Sequence, residues 1–248
     1  MEPIRVEVDG REPVLEELYG PLLTNFGHFT AMQVRGGRVR GLNLHLERLA
    51  GATRELFGTD LDTGRVHGFL AHAVRGVPDA SVRINVYGPS RVMVFVRPPA
   101  EPPAAPLRLR SVPYVRPAAH LKHVGGFGQA YFGRRAEAEG FDDALLTDAG
   151  GAVCEAAIAN VGFFDGTDVI WPSSPHLPGI AMQLLAPRLP SRSARVALAD
   201  VGGFRGAFAA NSIGVAAVAG IDDVAFGVDD ALMRLVADAE ASVPWDAL

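Results

Sequence analysis

Apolar and polar residues alternate along four segments in the first hundred residues, as they do in half-buried β-strands. The segments form two predicted hairpins across glycine-containing turns, 29–34 with 38–42 and 81–87 with 91–96. In the second hairpin Val82, Ile84 and Val86 should share one face, because side chains alternate along a strand. Apolar residues at helical spacing predict helices over 45–56 and 66–74. The pattern indicates an α+β domain with a mainly antiparallel sheet.

A proline-rich segment follows this region. Residues 97–106 contain five prolines, which deny amides to a sheet and favour an extended connector. We therefore expect two domains, residues 1–105 and residues 106–248.

Strands outnumber helices after the connector. Strands are predicted over 107–112, 143–147, 152–155, 160–164, 169–171, 196–199 and 212–218. Helices are predicted over 128–139, 180–189 and 229–239. Because helices are too few to alternate with the strands, the pattern favours a barrel-like α+β domain over a doubly wound sheet.

The composition is that of an ordinary globular protein, with 48% hydrophobic residues, 21% charged residues and a formal net charge of -5. The arginines are scattered and the balance is acidic, which argues against a nucleic-acid partner. The single cysteine, Cys154, excludes an intrachain disulfide framework and a cysteine-based metal site, and it fits a reducing cytoplasm. The sequence has no span of eighteen apolar residues and no signal-peptide pattern at its start. We expect a cytoplasmic protein without membrane, nucleic-acid or metal partners.

Lys122 is the only lysine, although lysine and arginine together number 23. Codon bias toward arginine explains the depletion, and a leftover surface lysine is the simpler interpretation of the survivor. Arginine cannot replace lysine where a deprotonated amine must add to a carbonyl, because the guanidinium keeps its proton. Lys122 is therefore a candidate nucleophile.

Three motifs follow Lys122 in a fixed order. They are D-D-A-L-L-T-D over 142–148, E-A-A-I-A-N-V over 155–161 and L-P-G-I over 177–180. Together with the lysine they resemble the fold-type IV pyridoxal-phosphate enzymes, the class IV aminotransferase family, from about Phe26 to Asp222. The resemblance implies a two-domain α+β fold, with a smaller N-terminal α/β sandwich and a C-terminal barrel-like α/β domain. It also implies pyridoxal 5'-phosphate as the cofactor and a homodimer.

The resemblance assigns the chemistry to particular residues. Lys122 would form the Schiff base with the cofactor and move the proton at the reacting carbon of the substrate, and Glu155 would pair with the pyridinium nitrogen. Phosphate binding falls to Arg48 of the motif H-x-x-R-L, to the helix start Gly179-Ile180-Ala181 and to the loop Asn211-Ser212. An exposed helical arginine at Arg48 and a solvated strand-end charge at Glu155 are the alternative interpretations.

Some positions depart from the family pattern. Ala181 and Met182 stand where many members have a hydroxyl residue and an arginine, and Phe127 stands where a tyrosine is common. The segment after Glu155 is Ala-Ala-Ile-Ala (156–159) instead of one rich in serine and threonine. At about 1 kcal/mol per lost hydrogen bond, two or three losses would weaken cofactor binding by roughly 100-fold.

Two reactions fit the motifs. Thr30, His123 and the loop from Asn211 resemble 4-amino-4-deoxychorismate lyase, which releases pyruvate and 4-aminobenzoate; Thr30 is a candidate catalytic residue there or an ordinary strand threonine. The breadth of the family favours amino transfer between an amino acid or amine and a 2-keto acid, which is our expectation. Arg83 and Phe29 are candidate substrate-binding residues, with a solvent-facing strand arginine as the alternative for Arg83. A cofactor-free, non-enzymatic family member is the third hypothesis.

Overall fold

The computed structural model describes residues 3–248 and contains both helices and strands. The helices are α1 (Leu15–Thr24), α2 (Leu42–Phe57), α3 (Thr63–Ala73), α4 (Phe127–Ala138), α5 (Ile180–Leu185) and α6 (Asp230–Ala241). The strands of the first half are β1 (Arg5–Val8), β2 (His28–Val34), β3 (Arg38–Arg40), β4 (Ala80–Tyr87) and β5 (Arg91–Arg97). The remaining strands are β6 (Leu107–Pro113), β7 (Asp143–Thr147), β8 (Val153–Ala156), β9 (Asn160–Phe164), β10 (Val169–Pro172), β11 (Ser191–Ala194), β12 (Gly206–Asn211), β13 (Gly214–Ile221), β14 (Val224–Ala225) and β15 (Trp245–Ala247). The α+β class expected from the sequence is confirmed.

The chain forms two compact units. Unit 1 comprises the segment up to Ala100 together with Leu121–Gly125 and Pro244–Leu248, and unit 2 comprises Glu101–His120 and Gly126–Val243. The short segment that carries Lys122 thus packs with unit 1, whereas the sequence division at residue 105 places it in the second domain. That division stays a prediction.

Unit 1 is built on a four-stranded antiparallel sheet in the order β1-β5-β4-β2. The predicted hairpin of β4 and β5 is confirmed, and Val82, Ile84 and Val86 are buried on one face of it. This face packs against apolar residues of α2 and α3, including Leu49 and Leu70. The two helices therefore cover one side of the sheet.

The turn of the first predicted hairpin is present across Gly36-Gly37, where Arg35 and Arg38 exchange two backbone hydrogen bonds, but the pairing does not continue beyond this bridge. β2 pairs with β4 along its whole length, and only an isolated bridge between Arg35 and Arg38 joins it to β3. Because α2 begins at Leu42, β3 keeps only three residues, and they pair with β15. β1 and α1 were not predicted from the sequence; α1 contains Gly20 and Pro21, which are poor helix formers.

Unit 2 contains a mixed sheet in the order β11-β10-β9-β12-β13-β6-β7-β8, which curls into a half-barrel. The strands predicted over 107–112, 143–147, 152–155, 160–164 and 169–171 are present to within two residues at each end. The barrel-like sheet expected from the sequence is confirmed.

Three element predictions in unit 2 are wrong in detail. The strand expected over 196–199 is replaced by a 3-10 segment from Leu198 to Gly203. The strand expected over 212–218 is part of a hairpin of β12 and β13, because Ser212 lies in the turn between them. The helix expected over 180–189 stops at Leu185 and continues as a 3-10 turn that contains Pro187, which has no amide to donate.

Candidate functional site

Lys122 lies on a short segment that extends the sheet of unit 1 beyond the edge strand β2. The amide of Phe29 donates to the carbonyl of Lys122 at 2.8 Å, and the amide of Val124 donates to the carbonyl of Gly27 at 2.9 Å. His28 and His123 form an antiparallel bridge between these two bonds. Antiparallel pairing in this register places Lys122 opposite Phe29, so their side chains lie on the same face of the sheet.

The ring of Phe29 brings two cations together on that face. Lys122 Nζ lies 4.9 Å from the ring centroid, and Arg83 Cζ lies 3.6 Å from the same centroid. Both distances are within the range of cation–π attraction. The sequence candidates Lys122, Phe29 and Arg83 are thus neighbours in unit 1.

A chain of hydrogen bonds orients Arg83. Its Nε donates to Asn85 Oδ1 at 2.7 Å, and Asn85 Nδ2 donates to the hydroxyl of Tyr87 at 2.8 Å. Burial lowers the pKa of the Arg83 guanidinium from its usual value. Within residues 3–248, no hydrogen bond or ion pair engages the two terminal nitrogens of Arg83. They form a planar fork that can take a carboxylate in bidentate fashion.

The opposite face of β2 presents Thr30 and His28 to α2. Thr30 Oγ1 lies 2.6 Å from His45 Nδ1, and His28 Nε2 lies 2.9 Å from Thr53 Oγ1. All four side chains are buried, and Thr30 has no exposed surface. The structure therefore places Thr30 between the sheet and the helix, on the side of β2 away from Phe29.

His28 and His45 are both neutral at physiological pH. Burial, together with the charges of Arg48 and Lys122, lowers the pKa of His45 to about 3. Burial lowers the pKa of His28 to about 4. Arg48 follows His45 by three residues on α2 and is half-buried. The sequence candidates Arg48 and Thr30 thus share His45 as a neighbour, a residue to which the sequence analysis gave no role.

Glu155 is buried at the end of β8 in unit 2, with a cation beside it. Arg116 Nε donates to Glu155 Oε1 at 3.2 Å, and the amide of Leu177 donates to Glu155 Oε2 at 3.1 Å. Arg116 also donates to the carbonyl of Ala119. A buried carboxylate needs such partners. The solvated strand-end alternative for Glu155 does not describe this environment.

Arg116 was not among the site residues predicted from the sequence. Its exposed fraction is 5%, which is rare for arginine outside a charge pair. The available signal was the apolar surroundings of Glu155, which require a buried cation somewhere in the chain. Sequence alone does not say which of the 23 cationic residues supplies it.

The segment Leu177-Pro178-Gly179 leads from Glu155 to α5. Gly179 is the residue before the helix and has extended backbone angles, φ -61° and ψ 140°. Ile180 is buried, and Ala181 and Met182 pack on the apolar cluster around Leu185. The first amides of α5 have no acceptor within the helix.

The predicted phosphate loop forms the turn between β12 and β13. Asn211 Oδ1 accepts a hydrogen bond from the amide of Ile213 at 2.8 Å, which folds the loop over Ser212. Asn211 Nδ2 also lies 3.5 Å from the carbonyl of Ile158, in the turn after Glu155. Asn211 therefore connects the loop of Ser212 to the strand end of Glu155.

Phe127 begins α4 and is 78% exposed. It stacks on Tyr131 with ring centroids 5.8 Å apart. Tyr114 approaches the same helix so closely that a Cβ on Gly128 would overlap its ring. The exposed aromatic pair shows that Phe127 does not serve as a core residue.

Within residues 3–248, no group of three or more histidine, cysteine or carboxylate residues is arranged to hold a metal ion. None of the helices described combines the length and apolar character that a membrane crossing needs.

A family model described as amino-transferase class IV matches residues 27–221. Solved structures with the same fold include a 4-amino-4-deoxychorismate lyase from Pseudomonas aeruginosa (22% identity, TM-score 0.79, covering 96% of this chain and 99% of that one). A branched-chain aminotransferase from Thermoproteus uzoniensis, solved with norvaline, has 19% identity and a TM-score of 0.84, with 96% and 94% coverage. A hypothetical aminotransferase from Mycobacterium tuberculosis, in a PLP-bound form, has 19% identity and a TM-score of 0.83, with 96% and 98% coverage. No significant match was found among curated protein sequences.

Proposed function

The chain belongs to the class IV aminotransferase family, and we propose that it is an enzyme that moves an amino group between an amino acid or amine and a 2-keto acid. The observation that carries this proposal is the arrangement on Phe29. Nζ of Lys122, the only lysine of the chain, lies 4.9 Å from the centroid of the Phe29 ring, and Cζ of Arg83 lies 3.6 Å from the same centroid. A nucleophilic amine and a receptor for a carboxylate are the two groups that an amino-acid substrate requires.

The residues of each unit, taken separately, fit pyridoxal 5'-phosphate as the cofactor. Lys122 would hold its aldehyde covalently, Glu155 its ring nitrogen, and Arg48, Ser212 and the first amides of α5 its phosphate. Glu155 accepts a hydrogen bond from Arg116 on Oε1 and one from the amide of Leu177 on Oε2, and a carboxylate oxygen can accept two, so the carboxylate has capacity for a ring N–H. When bound, the cofactor supplies the electron sink for bond changes at the amino-bearing carbon.

The protein groups have separate tasks in this reaction. Arg83 binds and orients the substrate carboxylate through its two terminal nitrogens. Lys122 Nζ, when it is not bound to the cofactor, would take the proton from the amino-bearing carbon of the substrate. Arg116 supplies the countercharge for the buried Glu155 carboxylate, which would hold a proton at the ring nitrogen of the cofactor. Thr30, engaged by His45, is proposed as a residue that supports α2 and Arg48.

4-Amino-4-deoxychorismate lyase is the second candidate function. The sequence features in its favour are Thr30, His123 and the loop of Asn211, and the turn formed by Asn211 is consistent with that loop. The burial of Thr30 on the side of β2 away from Phe29 argues against a direct role in proton transfer. Amino transfer therefore remains our preferred function.

A spectroscopic titration distinguishes the candidates. Protein mixed with pyridoxal phosphate should show a violet absorption band; an amino donor alone should bleach it, and pyruvate or 2-oxoglutarate should restore it. Formation of 4-aminobenzoate and pyruvate from aminodeoxychorismate without a keto acid, with no response to amino donors, would identify the lyase. A protein that stays colourless with added cofactor would support the non-enzymatic hypothesis.

We also propose that the protein is a homodimer. The support is the apolar outer side of α1, where Leu15, Tyr19, Leu22 and Leu23 are all exposed, because such faces mark association sites. Sedimentation at micromolar concentration should give the mass of two chains, and a stable monomer would contradict the proposal. A cytoplasmic location is proposed from the single, unpaired Cys154.

A further inference from the structure

Asn160, the last polar residue of the motif that begins at Glu155, has no part in the reaction described above. It begins β9, directly after the turn in which the amide of Ala156 donates to the carbonyl of Ala159 at 2.8 Å. Its exposed fraction is 6%. A buried side-chain amide at this place needs a partner.

The partner is the peptide segment of Leu177. Asn160 Nδ2 donates to the carbonyl of Leu177 at 2.8 Å, while the amide of Leu177 donates to Glu155 Oε2 at 3.1 Å. The backbone carbonyl and the backbone amide of Leu177 are therefore both hydrogen-bonded, the carbonyl to Asn160 and the amide to Glu155. These two residues lie at the two ends of the turn between β8 and β9. Leu177 cannot shift without breaking a bond to Glu155 or a bond to Asn160.

Gly179 completes the arrangement. A Cβ at this position would overlap Asn160 Oδ1, so the side-chain amide of Asn160 fills the space that any larger residue would need. The backbone of Gly179 is ordinary extended structure, φ -61°, which every residue adopts. Close packing against Asn160, and not backbone conformation, thus explains the glycine.

We propose that Asn160 is a positioning residue that fixes Glu155 and the first turn of α5 to each other through Leu177. This inference rests on the proposed function, in which Glu155 holds the ring nitrogen of the cofactor and α5 its phosphate. We call Asn160, Leu177 and Glu155, with their two hydrogen bonds, the clamp. The clamp sets the separation of Glu155 and the first turn of α5 before the cofactor binds. Preorganisation of this kind raises affinity because less order remains to be created on binding.

Hydrogen exchange of the protein without cofactor tests the clamp directly. In Asn160→Ala, the amide of Leu177 should exchange at least about 10-fold faster than in the wild type, since the carbonyl of Leu177 has lost its bond to Asn160. Val169→Ala is the matched control, because Val169 is fully buried in β10 and contacts none of these groups by hydrogen bond. This control should lower the melting temperature without changing exchange at Leu177. Unchanged exchange in Asn160→Ala would overturn the proposal.

Affinity for pyridoxal phosphate supplies the second readout. Asn160→Ala should raise the dissociation constant about 10-fold or more, while turnover at saturating cofactor falls much less, and Val169→Ala should leave the constant unchanged. An equal increase in Val169→Ala would mean that general destabilisation is the cause and would overturn the proposal. If the wild-type protein binds no pyridoxal phosphate, the proposed function fails, and exchange at Leu177 alone decides whether the clamp exists.

A double substitution tests the role of Gly179. Gly179→Ala should displace the Asn160 side chain and so raise the dissociation constant as Asn160→Ala does. The double variant should bind about as well as Asn160→Ala alone, within about twofold, because the space for the new methyl group is then open. Independent, multiplicative effects of the two substitutions would contradict the clamp.

Discussion

Arg116 Nε lies 3.2 Å from Glu155 Oε1, and both side chains are buried in unit 2. Charges that are removed from water in this way cost free energy unless they are paired. Arg116 supplies the countercharge that the buried Glu155 carboxylate needs in these apolar surroundings. Arg116 is therefore as important for the proposed chemistry as Glu155 itself.

Removal of one member of this pair should destabilise the protein more than removal of both. Arg116→Met leaves Glu155 buried without its cation and should lower the free energy of unfolding by about 3–5 kcal/mol. The double variant Arg116→Met, Glu155→Gln should recover part of that loss, because no buried charge remains. Urea unfolding of the three proteins measures the effect; a single variant as stable as the wild type would show that the pair contributes nothing.

The fork of Arg83 should determine affinity for substrates that carry a carboxylate. Arg83→Lys keeps a cation but loses the planar pair of donors, so we expect KM for amino acids to rise about 10- to 100-fold with a smaller change in kcat. An amine without a carboxylate is the matched control substrate, and its KM should not rise. Steady-state kinetics with both substrates checks this expectation. Equal effects on both substrates would remove Arg83 from carboxylate recognition.

The two buried histidines of unit 1 should make the protein sensitive to acid. Their folded-state pKa values, about 3 for His45 and about 4 for His28, lie below the usual value of 6.5, so the unfolded chain binds protons more readily. The free energy of unfolding should therefore be unaffected by these histidines above pH 6.5. It should fall as the pH is lowered toward 4, by up to about 1.4 kcal/mol per pH unit for each histidine.

Unfolding free energies measured between pH 7.5 and 4.5 check this sign. His28→Gln keeps a polar side chain opposite Thr53 and should reduce the slope of stability against pH over this range. A slope that is identical in the wild type and His28→Gln would contradict the assignment.

The strands of unit 1 could be predicted from the sequence where one face of the sheet is buried against helices. Val82, Ile84 and Val86 are apolar because α2 and α3 cover them, and such periodicity can be recognised in a single sequence. The pairing of β3 with β15 could not be recognised, because it joins residues about two hundred positions apart through a strand of three residues. Local patterns carry no information on such partners.

The candidate site was predictable as a set of residue types but not as an arrangement. The order of motifs identified Lys122, Glu155 and Gly179, whereas Arg116 and Asn160 act through buried contacts that only the fold reveals. The burial of Thr30 was also beyond the sequence, since strand alternation alone does not say which face α2 covers.

The central claim is that Lys122 carries the cofactor, and borohydride reduction followed by peptide mass mapping tests it most directly. Because Lys122 is the only lysine, the chain offers one side-chain amine for labelling. We expect the pyridoxyl label on the peptide containing Lys122, and neither label nor violet band in Lys122→Arg, which keeps the cation beside Phe29 but loses the nucleophile. An unlabelled Lys122 peptide in wild-type protein that turns over its substrate, or retained activity in Lys122→Arg, would contradict the claim.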